Sequence, residues 1–326
     1  MRKRIWIPEP QVPKKEIVEL PPIKLGGYFY VDLIDAKTGE VKQHLEFPNL
    51  ITDKGLDFIG QGTSLDTIYT TLAVGTGSTA PAVSDTALEA LVASTTSNGG
   101  FSDSDATSAS PEFSFRKRTR VFLEGVATAN LTELGWLFGG VAANRTLFKD
   151  LAGNPTTIEK TKEDILQIVY EYRIFAPLND VTGTIAGGDM ATSSIAYTIR
   201  PQNVNQSNGW PNLLDNMGDY SLPEARVHET SVLGSRTGDN DPSPQASEST
   251  SSFAPYVDGT FLRDMEYTWN PPDGNFGSQV GLITWHPWFT SGDLLLWQMH
   301  LSQSIEKGAD NKVDITFRQR WTRVDT

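Results

Sequence analysis

Residues able to carry acid–base or metal chemistry are sparse in this sequence of 326 residues. Its four histidines, His44, His228, His286 and His300, show no metal-binding spacing such as H-x-x-x-H or H-E-x-x-H. Cysteine is absent, which excludes thiolate metal ligands, cysteine-held iron–sulfur clusters and disulfides. The histidines and cysteines therefore give no basis for a catalytic or metal-binding site.

Two acidic loops resemble the beginning of a calcium site. Residues 103–105 (DSD) and 239–241 (DND) place carboxylates at alternate positions, as the first ligands of an EF-hand loop do. Neither loop continues with the glycine at position 6 and the glutamate at position 12 that complete such a loop. Solvated loop acids and a bound cation both stay open here, and the sequence predicts no cofactor.

Residues 75–79 (GTGST) resemble a phosphate-binding loop only in their glycine content. They match neither G-x-x-x-x-G-K-[ST] nor G-x-G-x-x-G, and no lysine follows them. The chain also lacks the G-x-S-x-G motif of a nucleophilic serine. We therefore expect a turn after a strand at residues 72–74, no catalytic residue, and a protein that is not an enzyme.

The strongest basic cluster lies in residues 115–121 (FRKRTRV). On a strand, Arg116, Arg118 and Arg120 would share one face, opposite Phe115. Such a row fits a contact with an acidic face of a neighbouring subunit or with nucleic acid, and a solvated strand face is the alternative. Because 27 basic and 40 acidic side chains give the chain a net charge of −13, we prefer the subunit contact to nucleic acid.

Aromatic side chains concentrate in the second half, where Trp269, Trp285, Trp288, Phe289 and Trp297 fall within 29 residues. Exposed aromatic faces stack on sugars, so Trp285 and Trp288 are candidates for a surface that binds a host glycan. Aromatic side chains also fill cores and subunit interfaces, where they bury large areas. The sequence leaves both interpretations open.

The first 24 residues differ from the rest in proline content and in charge. They contain five prolines, and six basic residues against three acidic ones. Proline at this density favours extended or polyproline II structure, and Ile5, Trp6 and Ile7 provide apolar anchors. We expect residues 1–24 to form an arm that docks on a neighbouring subunit, with an unstructured terminus as the alternative.

Alternating hydrophobicity predicts strands through most of the chain. Residues 28–34 and 41–47 read as a hairpin, and residues 165–174 read as a long strand. Helical signals are few: a capping-box pattern predicts a short helix at residues 84–92, and Thr52 is placed to cap a single turn. No segment reaches the roughly 18 consecutive apolar residues of a membrane helix, and no signal peptide is predicted.

Three short landmarks recur in the same order in both halves of the chain and predict an internal duplication. The pairs are residues 48–57 with 211–220, 133–138 with 279–285, and 158–173 with 305–323. The alternative is that short β proteins reuse similar turn chemistry. The predicted fold is all-β, with β-sandwich-like domains in tandem at residues 25–180 and 181–326 that follow an extended arm at residues 1–24.

Four motifs in the first half resemble those of bacteriophage virion proteins. Tail and neck proteins often combine N-L-I-T-D-x-G-L-D with V-G-T-G-S-T-x-P-x-x-x-D-T-A-L, followed by strands of the types I/L-T-E-L-G and K-x-x-x-D-x-L-x-V-x-Y. The corresponding segments here are residues 49–57, 74–88, 131–135 and 160–170. The resemblance covers roughly residues 27–175, and the second half departs from it because its glycine-rich turn and helix are largely lost.

The resemblance implies a structural component of a virion at the neck, collar or tail, with no catalytic residues. It implies a homo-oligomer that contacts other virion proteins such as portal, adaptor or tail proteins. A tail-fibre module that binds a host receptor or glycan is the first alternative, and a capsid decoration protein is the second. The expected location is the virion, after synthesis in the host cytoplasm, with neither nucleic acid nor membrane as a partner.

Overall fold

The computed structural model describes residues 16–103, 107–109, 113–186, 194–204, 210, 224–229, 232–238, 240–275, 280–285, 296–305 and 307–324. Strands dominate these residues, and the helices described are the short α1 (Asp53–Gly60) and α2 (Leu65–Ile68). The prediction of an all-β fold is confirmed.

The described strands are named in chain order. They are β1 (Ile17–Glu19), β2 (Ile23–Asp35), β3 (Val41–Pro48), β4 (Leu50–Ile51), β5 (Thr71–Gly75), β6 (Leu91–Thr95), β7 (Thr107–Ala109), β8 (Phe113–Phe122), β9 (Ala129–Leu131), β10 (Glu133–Phe138), β11 (Val141–Ala142), β12 (Asn144–Leu147), β13 (Ile158–Lys160), β14 (Asp164–Phe175), β15 (Val181–Ala186), β16 (Ser194–Pro201), β17 (Ala225–His228), β18 (Gln245–Ser247), β19 (Thr250–Phe253), β20 (Leu262–Trp269), β21 (Val280–Trp285), β22 (Trp297–Ile305) and β23 (Val313–Arg323).

Three main sheets are built from these strands. Nine of the strands described form the large sheet, in the order β19–β20–β23–β2–β14–β8–β7, with β1 beside β23 and β3 beside β2. The first-half sheet has the order β4–β12–β10–β5–β6, with β11 beside β10. The second-half sheet has the order β15–β16–β22–β21–β17–β18. A separate pair joins β9 and β13.

Each small sheet packs its inner face on the large sheet. In the first half, Trp136 on β10 lies against Tyr170 on β14, with ring centroids 5.7 Å apart. In the second half, Trp285 on β21 stacks on Phe317 of β23 at 4.0 Å and an interplanar angle of 9°. These aromatic contacts belong to one hydrophobic core that extends through both halves of the chain.

The predicted hairpin and the predicted long strand are confirmed. Strands β2 and β3 pair antiparallel from Tyr28 opposite Pro48 to Ile34 opposite Val41. The prediction at residues 165–174 corresponds to β14, which pairs with β2 along its whole length. Inward-facing residues on β2 alternate with outward-facing ones, as expected for a strand with one face in a core.

One of the two predicted helices is correct. Thr52 caps α1, and its hydroxyl accepts a hydrogen bond from the Gly55 amide. The helix predicted at residues 84–92 is wrong, because those residues form turns that lead into β6. The carboxylate of Glu89, read as part of a capping box, instead accepts hydrogen bonds from the amides of Ser78 and Thr79.

The end of the predicted arm belongs to the chain's own sheet. Strand β1 pairs parallel with β23, and Ile23 to Leu25 continue the pairing further along β23. Val18, Leu20 and Ile23 are buried there. An arm that could reach a neighbour is therefore shorter than residues 1–24. Ile5, Trp6 and Ile7 lie in residues 1–15, outside the described residues.

The large sheet also crosses the predicted domain boundary near residue 180. Strands β19, β20 and β23 come from the second predicted domain and the remaining described strands from the first. The boundary itself falls between β14 and β15 and stays a prediction. Because β23 shares hydrogen bonds with residues 17–25, the two halves are joined through their backbones.

A second junction between the halves centres on the buried carboxylate of Asp57 in α1. It accepts hydrogen bonds from the Tyr256 hydroxyl and the Gly259 amide, both at 2.7 Å, and binds the Lys54 ammonium at 3.0 Å. Nearby, the Trp321 indole donates to the Leu56 carbonyl at 3.1 Å. The helix is thereby fastened to the loop between β19 and β20.

We expect Asp57→Ala to lower the free energy of unfolding by about 1–3 kcal/mol, because it removes the buried carboxylate to which the half-buried Tyr256 hydroxyl and the Gly259 amide donate. Urea denaturation would measure the loss. Asp258→Ala is the matched control, since Asp258 also binds Lys54 but is 54% exposed, and such a surface pair contributes about 0–1 kcal/mol. Equal losses in the two variants would contradict the assignment.

Candidate assembly surfaces

The arginine row on β8 faces the inside of the first half. Arg118 pairs with Tyr170 and Arg116 with Tyr172 across β14, and both tyrosines are buried. The guanidinium groups of Arg116 and Arg118 bind the carboxylate of Asp66. Arg118 also binds Asp103, one of the acids considered for a cation site.

Arg120 lies deepest in the row. It is 5% exposed, donates to the carbonyls of Thr70 at 2.8 Å and Thr119 at 2.7 Å, and its guanidinium sits over the Trp136 ring. Burial lowers the pKa of Arg120. Since the chain itself supplies partners to Arg116, Arg118 and Arg120, the subunit contact proposed for them is corrected to an internal one.

The opposite side of the same strands carries an aromatic surface that the sequence analysis missed. Five half-buried rings from β2, β8 and β14 form what we call the aromatic shelf. They are Tyr28, Tyr30, Phe113, Phe115 and Phe175. Centroid distances of 5.2 Å between Tyr28 and Tyr30, and of 5.3 Å between Phe113 and Phe175, show that the rings pack on one another.

Two cations lie between the rings of the shelf. The Arg173 guanidinium is 4.9 Å from the Tyr28 centroid and 4.5 Å from that of Phe113. The Lys117 ammonium is 4.9 Å from the Tyr30 centroid. Both bind the carboxylate of Glu171, which is 4% exposed. An outer sheet face is ordinarily polar, whereas aromatic residues and arginine are the types enriched in protein interfaces.

Acidic side chains border the shelf on its β3 side. His44 lies between two carboxylates, with Nδ1 2.6 Å from Asp32 and Nε2 3.0 Å from Glu46. Glu46 stands directly opposite Tyr30 on the neighbouring strand. The hydrogen bonds to Asp32 and Glu46 raise the pKa of His44 above its usual value of 6.5.

The tryptophan pair considered for glycan binding is only partly described. Trp285 is fully buried between Phe317 and Trp297. Trp288 lies outside the described residues. Burial of Trp285 removes that ring from any surface, so a sugar has no access to it in this fold.

The glycine-rich turn wraps around a buried carboxylate. Glu133 is fully buried, and its oxygens accept hydrogen bonds from the amides of Gly77 (3.1 Å), Glu89 (3.1 Å) and Ala90 (2.7 Å). The Arg145 guanidinium donates to the same carboxylate at 2.8 Å. The turn thus binds a carboxylate of the protein itself.

The glycines of this turn are needed for close approach. A Cβ at Gly75 would lie 2.6 Å from Glu133 Oε1, and a Cβ at Gly77 would lie 2.5 Å from it. Arg145 extends the network outward to Asp85 at 2.8 Å and to the carbonyl of Thr79 at 3.1 Å. The prediction of a turn rather than a phosphate loop agrees with this arrangement.

His228, Thr284 and Arg226 in the second half also form hydrogen bonds and ion pairs with other parts of the chain. The imidazole of His228 lies 2.7 Å from the Pro242 carbonyl and 2.8 Å from the Thr284 hydroxyl, and His228 and Thr284 are both fully buried. Asp241, from the second acidic loop, binds Arg226. These groups are arranged to hold strands and loops together.

In the part of the chain that the structure describes, no group of three or more His, Cys, Asp or Glu side chains could hold a metal ion. None of the helices in the described segments is long and apolar enough to cross a membrane. Comparison with known proteins finds no matching family model, curated protein or solved structure.

We expect Glu133→Ala to lower the free energy of unfolding by about 3–5 kcal/mol, because it leaves the buried Arg145 without its innermost partner. Chemical denaturation would test this. Glu163→Ala is the control: Glu163 is 62% exposed and pairs with Lys162 on the surface, so its loss should cost about 0–1 kcal/mol. A loss for Glu133→Ala no larger than the control's would refute a structural role for the pair.

The His44 cluster predicts a pH-dependent contribution to stability. Since the folded pKa is raised, the stabilisation is present below the unfolded value of about 6.5 and is lost as the pH rises through the folded pKa. The urea midpoint of the wild type should therefore be higher than that of His44→Gln, and this difference should be larger at pH 6 than at pH 9. In a background with Asp32→Asn and Glu46→Gln, the pH dependence of this difference should vanish. A difference that is still larger at pH 6 than at pH 9 in that background would show that the carboxylates are not the cause.

Proposed function

We propose that this chain is a non-enzymatic structural component of a bacteriophage virion, at the neck, collar or tail. It would assemble with copies of itself and with other virion proteins such as portal, adaptor or tail proteins. The observation that carries the proposal is that the four motifs of the resemblance, although spread over about 120 residues of sequence, form one bonded unit.

Backbone and side-chain bonds connect the motifs one after another. The amide of Asp53, in N-L-I-T-D, donates to the carbonyl of Val83, in the glycine-rich motif, at 2.7 Å. Glu133, in L-T-E-L-G, binds the turn of that same motif. Leu131 pairs with Ile158 on β13, the strand that ends where the fourth motif begins. This unity supports taking the motifs as a set rather than as separate chance matches.

Strand order supports a tandem duplication as part of the same proposal. The order β12–β10–β5–β6 in the first half is matched by β22–β21–β17–β18, and β14–β8–β7 is matched by β23–β20–β19. Corresponding strands also follow one another in the same chain order. The duplicated halves would then share the large sheet instead of forming two closed sandwiches.

A pair of buried lysines occupies corresponding places in the two halves. Lys160 precedes β14 and donates to the Asp164 carbonyl at 2.6 Å and to the Leu123 carbonyl, just after β8, at 3.1 Å. Lys307 precedes β23 and donates to the Asn270 carbonyl, just after β20, at 2.8 Å. Burial lowers the pKa of both ammonium groups. Both lysines belong to the third recurring landmark, at residues 158–173 and 305–323, each copy of which begins with the residues I-E-K.

The alternatives differ in what supports them. A receptor- or glycan-binding tail-fibre module was based on Trp285 and Trp288, and the burial of Trp285 weakens it. A capsid decoration protein would have the same assembly chemistry at another place on the particle. The internal use of Glu133, Arg145 and His228 argues against the reading of these residues as an active site.

Localisation on intact particles tests the proposal. We expect cryo-EM or immunogold labelling to find this chain at the neck or tail of a virion, in several copies related by the symmetry of that region. Label spread over the capsid would favour decoration. Particles without the chain would refute the virion assignment.

A further inference from the structure

We infer that the aromatic shelf is the acceptor for the proline-rich residues 1–15 of a second copy of this chain. This inference rests on the proposed assembly function and names the surface and the segment through which copies join. It depends on three features: the chemistry of the shelf, the reach of the segment, and the number of such surfaces in each chain.

The chemistry of the two sides is complementary. Proline-rich segments bind grooves and faces lined by aromatic rings, because a polyproline II conformation loses little entropy on docking. Residues 1–15 contain three prolines beside the apolar anchors Ile5, Trp6 and Ile7. They also hold five basic residues against one acidic residue, and Asp32 and Glu46 border the shelf. The apolar part would lie on the rings and the basic part along the acidic border.

The reach of the segment selects a second copy rather than the same chain. Residue 16 lies at the start of β1, and β1 and β2 run in the same direction along β23. Tyr28 is therefore about 12 strand residues ahead, roughly 40 Å at about 3.3 Å per residue. Folding back as polyproline II at about 3.1 Å per residue, Trp6 would reach only about 31 Å from residue 16. Phe113 and Phe175, the near rings of the shelf, lie level with Lys24 and so about 26 Å ahead of residue 16. Trp6 could reach only these near rings of its own chain, and the prolines that follow it fall short of every ring, so a proline-rich segment that lies along the shelf comes from a second copy.

The described residues of each chain form one such shelf, because the corresponding face in the second half is charged. The outward side chains of β20 and β23 include Asp264, Glu266, Arg318 and Arg320. Arg318 binds Asp264 at 2.6 Å, and Arg318 and Arg320 both bind Glu19. One donor segment and one acceptor surface per chain give a head-to-tail contact, which generates a closed ring when the rotation between copies closes.

Peptide binding tests the acceptor directly. A labelled peptide of residues 1–15 is titrated into the full chain carrying Ile5→Ser, Trp6→Ser and Ile7→Ser, whose own segment has lost its anchors. We expect saturable binding that weakens at least tenfold when Tyr28→Thr and Phe115→Thr are added. Leu262→Thr, an outward position on β20 of the same sheet, is the control and should leave binding unchanged. Threonine keeps the strand propensity, and equal urea midpoints would show that the variants are folded.

Mixing the two kinds of variant tests the head-to-tail arrangement. The segment variant keeps its shelf and the shelf variant keeps its segment, so an equimolar mixture should form a one-to-one pair in sedimentation velocity while each alone does not. Absence of peptide binding, or binding that the shelf substitutions leave unchanged, would overturn the inference. Self-association that needs the shelf but not the segment would also overturn it, in favour of two shelves meeting. Neither result would alter the location of the chain on virions, which tests the proposed function separately.

Discussion

Strand β23 would present an open sheet edge if residues 17–25 did not pair with it. Strand β1 covers one stretch of that edge, the Leu20 amide donates to the Arg318 carbonyl at 2.9 Å, and Ile23 to Leu25 cover the stretch that follows. Strand β2 then continues as the partner of β14. Residues 17–25 thus form hydrogen bonds with backbone groups of both halves. The large sheet is therefore continuous, and both smaller sheets pack against it.

The sharing of one sheet determines which faces are available for partners. In the first half, the large sheet turns Arg116, Arg118 and Arg120 inward, where Asp66, Asp103 and backbone carbonyls satisfy them. Burial of charged groups at this density requires such partners, because an unpaired guanidinium inside would be strongly destabilising. The aromatic rings of β2, β8 and β14 are left on the outer face, an arrangement opposite to that of a sheet with a polar outer side.

Buried charged side chains elsewhere in the chain hold loops in place through hydrogen bonds. Glu133 gathers the amides of the glycine-rich turn, Asp57 fastens α1 to the second half, and Lys160 and Lys307 each hold loop carbonyls together. When a buried charged group has several hydrogen-bonding partners in a loop, the loop has few alternative conformations, because each of them would leave the charge without partners. Loops defined in this way would suit the assembly role proposed above, which needs constant surfaces.

The sequence by itself determined the all-β class, the hairpin of β2 and β3, the long strand β14, and the cap at Thr52. These features follow from the alternation of apolar and polar residues along a strand and from contacts between residues close together in the sequence, and both are local properties. Only the tertiary structure decided that the arginines of β8 face inward, that Trp285 is buried, that Glu89 serves a turn instead of a helix, and that the two halves share a sheet. Each of these depends on partners that lie from about ten to more than two hundred residues away in the sequence. The alternation of apolar and polar residues shows that a strand has two faces, but not which of them the core will cover.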